Sequence, residues 1–258
     1  MDIRHAAFSL RNGSDTLVVL VHGICGSPAQ MRPIAGDLAA GGMDADVLLL
    51  PGHGGGSGAF CAARAVDWQD HVDTAVRAGL IRYKRVFLLG HSLGALLSLD
   101  AASRLPVCGV MCLGAPMGMR ISRFQLRMGM RVALGRPGRD DEVVRFYRSS
   151  SGISVRGPWE YLLWLPPFAR LTYAMVHARR AMGRVACPVL ALQSDRDESV
   201  SRGSAQRIAR AVGGPVRVVR LSRSLHAYID PEERPVIRDL LLSFCRAGHP
   251  VGDISRPG

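Results

Sequence analysis

The sequence predicts an α/β architecture: a mostly parallel central sheet flanked by helices, with a helical cap inserted late in the chain. Three observations lead there. Through the first 116 residues, short apolar runs alternate with segments of helical spacing, the pattern of strands joined by crossover helices. The run at 86–89 passes at once into Gly90-His91-Ser92-Leu93-Gly94 and then into a strong helix former at 95–102. The alternation stops between 117 and 184, where basic amphipathic segments and an aromatic cluster replace it, and resumes at 188. The expected organisation is a sheet domain from 1–116 and 185–247, a helical cap at 117–184, and a Gly/Pro tail at 248–258 that frays.

The elements follow in order. Residues 8–10 and 17–21 read as strands separated by Asn12, Gly13, Ser14 and Asp15. The second runs into His22-Gly23-Ile24-Cys25-Gly26-Ser27-Pro28, a turn at the carboxyl end of a buried strand, where open α/β sheets place ligand chemistry. Gly23 is expected to let the backbone bend so that the Ile24 amide faces inward. Ser27 and Pro28 suit the start of a helix ending near Gly41 and Gly42, while Pro33 leaves room for a start nearer Met31. A strand at 45–50 ends in the glycine-rich stretch 51–58. That stretch lacks the Lys-Ser/Thr of a phosphate-binding loop, so it reads as a flexible loop with His53 as a structural residue. Val72, Val76 and Leu80 share one helical face within 66–83, with Asp67 in the first turn. In the buried strand 107–113, Cys108 and Cys112 fall on one face by alternation, which favours packing over metal ligation. A strand at 188–193, a helix at 201–211, a strand at 216–221 and a closing helix at 231–246 complete the domain.

Composition bounds the function classes. The 258 residues are 48% hydrophobic, enough for one large core, and no apolar run reaches the roughly 18 residues of a membrane span. The first apolar run is short and meets a His-Gly turn, unlike a signal peptide. Six scattered cysteines without a paired motif read as free thiols, which suits a cytoplasmic protein. The formal charge is +12, and Lys84 is the sole lysine. Thirteen arginines against four acids lie in 117–184, so nine of those charges belong to the cap. Arg120, Arg123, Arg127 and Arg131 recur at helical spacing beside Ile121, Phe124, Met128 and Val132. Such a helix suits peripheral contact with an anionic membrane surface, with the bland alternative of a solvated face. Nucleic acid is not an expected partner, because no binding motif or interleaved stacking aromatics accompany the charge.

Strand, GxSxG and helix in succession are the context of a nucleophile elbow, which strains the central residue and lifts Ser92 above the sheet. A hydroxyl is a poor nucleophile at neutral pH and needs a base, itself oriented by an acid. On such an elbow the acid and then the histidine follow the serine in the chain. That order excludes His5, His22, His53, His71 and His91; His177 lies in the cap and His249 in the tail. His226 remains. Asp197 is preferred as the acid, with Asp195 and Glu198 competing in the same turn. The backbone amides of Ile24 and Leu93 are placed to stabilise an oxyanion.

At these residues the chain resembles the cap-bearing bacterial carboxylesterases and monoacylglycerol lipases of the α/β-hydrolase superfamily. The resemblance runs through His22-Gly23-Ile24, the Pro51-Gly52-His53-Gly54 loop, Gly90-His91-Ser92-Leu93-Gly94, the Asp197-Glu198 pair and Ser224-Leu225-His226. It implies an α/β-hydrolase fold and a serine ester hydrolase working through an acyl-enzyme, with Ser92, Asp197 and His226 catalytic and Ile24 and Leu93 lining the oxyanion hole. It implies no cofactor and no metal, and a small-molecule acyl ester as substrate. The cap carries no recognised motif. Its cluster of Trp159, Tyr161, Leu162, Trp164, Leu165 and Phe168 offers an apolar wall suited to medium or long acyl chains. A thioesterase or acyltransferase with the same triad, and a non-catalytic binding module on the same fold, are the alternatives.

Overall fold

A computed structural model describes residues 3–120, 123, 127, 130–132 and 142–247. Its centre is a seven-stranded sheet of β1 (Phe8–Leu10), β2 (Thr16–Val21), β3 (Asp44–Leu48), β5 (Arg85–His91), β6 (Gly109–Leu113), β8 (Val189–Ser194) and β9 (Val216–Leu221). The spatial order is β1-β3-β2-β5-β6-β8-β9, with β1 antiparallel to β3 and every other pairing parallel. The inner strands are buried on both faces, which is why they read as unbroken apolar runs.

Alternation along each strand divides the core into two layers. Val18, Leu20, Phe87, Leu89, Met111 and Leu190 meet Met31, Ile34 and Leu38 of α1 (Pro28–Ala40) and Ile237, Leu241 and Phe244 of α8 (Arg234–Ala247). Leu17, Val19, Val86, Leu88, Val110 and Val189 meet α3 (Ala65–Arg82), α4 (Leu93–Ala102) and Ile208 of α7 (Ser204–Ala211) on the other side. The helix α1 starts at Pro28, where a proline's missing N–H would have no intrahelical acceptor, and runs on through Pro33, which forgoes one intrahelical hydrogen bond. Ser27 does not cap it by side chain; its hydroxyl donates to the Ser150 carbonyl at 3.1 Å.

Three expectations need correction. The stretch 51–58 is not all loop: β4 (Gly55–Gly56) and the start of α2 (Ser57–Ala62) lie within it. The insertion is not strand-free either, since β7 (Ile153–Ser154) pairs in parallel with β4. Two-residue strands carry no periodicity to read. Cys112 packs in the α3–α4 layer, whereas Cys108 precedes β6 and packs against the opposite layer, so the alternation does not extend to it. All six cysteines are unpaired.

Between β6 and β8 the chain forms α5 (Glu142–Ser150), β7, a 3₁₀ segment at Pro158–Trp164 and α6 (Leu165–Ala181). Leu171, Ala174 and Ala178 of α6 join the same core layer as α4, and Trp164 meets Phe60 edge-on at 5.3 Å. The insertion is stitched to the turn after β2, where Gly152 donates its N–H to Cys25 O at 3.1 Å. No described helix is long and apolar enough to cross a membrane. Ile121, Phe124, Met128, His249 and the 248–258 tail lie outside the described residues.

Candidate active site

Ser92 sits between β5 and α4 with φ 52° and ψ −114°, and among the described residues it alone has positive φ without being glycine. That conformation is unfavourable for a side chain and persists because the surroundings impose it. The Ser92 N–H is tied to Leu113 O at 2.9 Å. A Cβ on Gly90 would stand 2.3 Å from the Gly94 carbonyl, and one on Gly94 would stand 2.1 Å from Val21 O. The two glycines are therefore spacers that let strand and helix touch.

The structure brings Ser92, His226 and Asp197 into one hydrogen-bonded chain. His226 Nε2 lies 3.0 Å from Ser92 Oγ, and His226 Nδ1 lies 2.9 Å from Asp197 Oδ2. The other Asp197 oxygen accepts the N–H groups of Ser199 and Val200 at 2.9 and 2.7 Å. Burial opposes the charge on Asp197, but His226 and these two amides outweigh it and hold the carboxyl below its usual range. Burial likewise opposes the imidazolium of His226; the charge and hydrogen bond of Asp197, then the charge of Glu198, outweigh it and raise the ring above the ordinary histidine value. The competing acids lie elsewhere. Asp195 is half-exposed and paired with Arg220, and Glu198 accepts the backbone N–H of His226 at 2.9 Å.

The turn carrying Ile24 is held by the side chains of His22 and His53. Gly23 O accepts His22 Nδ1–H at 2.8 Å and the Gly26 N–H at 3.0 Å, so the Ile24 N–H of the same trans peptide points the opposite way. His53 donates Nε2–H to Ile24 O at 2.6 Å, which gives this histidine the structural part expected of it. The Leu93 amide opens α4, where first-turn N–H groups have no acceptor within the helix. Gly23 has no positive φ; its role is space, since a Cβ there would lie 2.8 Å from His91 Nδ1.

Sequence reasoning passed over a buried relay. Gln30 Oε1 accepts the Gly23 N–H at 3.2 Å, and Gln30 Nε2 donates to His91 Nδ1 at 3.0 Å. His91 Nε2 donates to His226 O at 2.8 Å. Burial and then neighbouring His226 push His91 down to about 3, so the ring is neutral and each nitrogen keeps one role. The turn, the elbow and the His226 loop are thus one unit. Only the position of His91 inside GxSxG hinted at it.

The six residues expected around an acyl chain divide. Trp164 is 6% exposed, and Tyr161 packs edge-on against it at 4.7 Å. Trp159, Leu162, Leu165 and Phe168 are 63, 77, 76 and 40% exposed and face outward. Among the described residues no cluster of three or more His, Cys, Asp or Glu is arranged to hold a metal ion.

A mostly parallel sheet with a strained serine at its centre and a histidine–aspartate pair behind it defines the α/β-hydrolase class, and the chain belongs to the alpha/beta hydrolase family, which it matches over residues 18–251. Lipases and esterases are among the proteins it is similar to. It is 28% identical over 234 residues to the thermostable monoacylglycerol lipase of Bacillus sp. (strain H-257), covering 88% of this chain and 89% of that one. Among solved structures it resembles a metagenome-derived lipolytic enzyme at 24% identity (TM-score 0.76; 95% of this chain, 98% of that one). It also resembles the monoacylglycerol lipase of Paleococcus ferrophilus at 18% identity (TM-score 0.71; 94% of this chain, 98% of that one).

Proposed function

We propose that the protein is a serine ester hydrolase acting through an acyl-enzyme on esters of medium to long acyl chains, monoacylglycerols among them. The observation that carries this reading is the chain from Asp197 through His226 to Ser92 Oγ. Ser92 attacks the ester carbonyl while His226 Nε2 takes its proton. The Ile24 and Leu93 amides stabilise the tetrahedral oxyanion, and the imidazolium then protonates the departing alcohol. Water repeats the cycle on the acyl-enzyme and frees the acid. Asp197 keeps Nδ1 protonated so that Nε2 faces the serine, and compensates the imidazolium as it forms.

The preference for longer chains is supported by the monoacylglycerol lipase relative and by the apolar insertion. Tyr161 and Trp164, packed beside the core, are the residues assigned to the acyl chain. Trp159, Leu162, Leu165 and Phe168, exposed on the insertion with Arg123 and Arg127, are assigned to contact with an anionic lipid surface from which the substrate is drawn. Initial rates on esters from acetyl to palmitoyl, with monoacylglycerols and acyl-CoA alongside, test the substrate class. Rates should rise from acetyl towards longer chains, and faster turnover of acyl-CoA would instead favour a thioesterase. Ser92→Ala should lose both hydrolysis and labelling by an organophosphonate. Undiminished labelling of the variant would overturn the nucleophile assignment.

A further inference from the structure

Glu198 adjoins Asp197 in the chain but does not reach the imidazole. It is buried, with Oε2 accepting the backbone N–H of His226 at 2.9 Å and Oε1 accepting the Tyr147 hydroxyl at 2.6 Å. The Tyr147 oxygen in turn accepts the Ala227 N–H at 3.3 Å. Two successive amides of the histidine loop therefore end on two linked side chains, one from the turn after β8 and one from α5 of the insertion. Burial, then the charge of Glu198, push the Tyr147 phenol well above its ordinary value, so it remains a donor. α5 makes two further contacts with this loop. Phe146 meets Tyr228 edge-on at 5.7 Å, and Glu142 is hydrogen-bonded to Tyr228. A buried carboxylate without its donors is strongly unfavourable, so Glu198 and Tyr147 depend on each other.

We infer that Glu198 and Tyr147 are positioning residues for His226, and that the insertion, through α5, sets the aim of the base at Ser92. The inference rests on the role proposed above for His226. Because the grip is on the backbone of residues 226 and 227, its loss displaces the imidazole as a whole. Among the described residues, the titratable groups facing His226 are Asp197 and Glu198 from the turn after β8, His91 from β5 and Tyr147 from α5, with the Ser92 hydroxyl on the elbow beside them.

The test uses the full chain with Tyr147→Phe, Glu198→Ala and Glu198→Gln, measured for kcat and KM on a soluble short-chain ester across pH. The His226 titration is followed in parallel by NMR. A misplacement near 1 Å can cost about 10²-fold, so kcat should fall about 10²-fold in Glu198→Ala and about tenfold in Tyr147→Phe, with KM within about twofold of the parent. Glutamine can accept the His226 N–H through its oxygen and donate to the Tyr147 oxygen, so Glu198→Gln should recover to within about threefold of the parent. Its acidic limb and its NMR titration should both move to lower pH, because a charge favouring the imidazolium is gone. The NMR arm does not need turnover. A parent protein that hydrolyses no ester, beside a shifted titration in Glu198→Gln, would refute the hydrolase reading and leave the linkage standing. Parent-like kcat in both Tyr147→Phe and Glu198→Ala would overturn the inference, as would a glutamine variant as slow as the alanine one. If Glu198→Ala does not fold, Tyr147→Phe and Glu198→Gln decide alone.

Discussion

At the scale of single residues, Asp197, His226 and Ser92 owe their arrangement to opposed electrostatic effects. Each of the two ionisable partners is buried at a cost to its charge, and each recovers more than that cost from the other together with its further neighbours, the Val200 and Ser199 amides for Asp197 and the Glu198 charge for His226. The sign for activity follows. An imidazolium cannot accept the serine proton, so kcat/KM should rise with pH through a His226 value above 6.5. Asp197→Asn removes the charge that raises His226, so the rising limb should move to lower pH while kcat falls about 10⁴-fold through the mis-set tautomer. Asp195→Asn should leave both the limb and kcat near the parent, because its carboxylate is spent on Arg220. A pH–rate series on the two variants checks both statements; a reversed ranking would make Asp195 the acid.

At the scale of elements, the elbow works because β2, β5 and α4 approach closer than side chains allow. Gly94→Ala would place a methyl group against the Val21 carbonyl, between the buried helix α4 and the buried strand β2, which cannot separate locally. It should destabilise the fold by more than about 3 kcal/mol, the upper part of the range for overpacked cores. Gly36 provides the contrast. It is exposed within α1 with nothing within 4 Å of the site of a Cβ, so Gly36→Ala should stabilise by about 0.5–1 kcal/mol. Urea unfolding midpoints compare the pair directly. How much of the site was legible follows the same division: the elbow glycines stand in a motif of five residues and could be read. Gly114 could not. Its φ is +56°, and a Cβ there would stand 3.2 Å from His226 Nδ1, a contact that depends on a loop more than a hundred residues away.

At the scale of the whole molecule, charge and exposed apolar surface coincide on the insertion. Arg120, Arg123, Arg127 and Arg131 are exposed, and so are Met130, Trp159, Leu162, Leu163 and Leu165. Apolar area and phosphate-seeking guanidiniums on one segment suit an anionic lipid surface. The protein should bind anionic vesicles, bind neutral ones weakly, and release as salt screens the attraction. At about 1 kcal/mol for each basic residue at the surface, replacing Arg123 and Arg127 together with glutamine should lower partitioning roughly 30-fold. Turnover of a soluble short-chain ester should not change. Vesicle flotation at two salt concentrations measures this, and equal partitioning of the parent onto neutral and anionic vesicles would count decisively against it.

What the sequence determined alone was whatever local chemistry encodes. Doubly buried strands must be apolar runs, a strained serine between strand and helix must be flanked by small residues, and a candidate base is expected after it in the chain, which pointed to His226. What only the tertiary structure decided depends on groups distant in sequence. Asp195, Asp197 and Glu198 are chemically alike and within four positions, yet one meets Arg220, one the imidazole and one a backbone amide with Tyr147. The division of the aromatic cluster was decided in the same way. Period and composition mark Trp159, Leu162 and Leu165 as apolar, but whether such a side chain is covered depends on what packs over it, and here Phe60 covers Trp164 and leaves those three in the open.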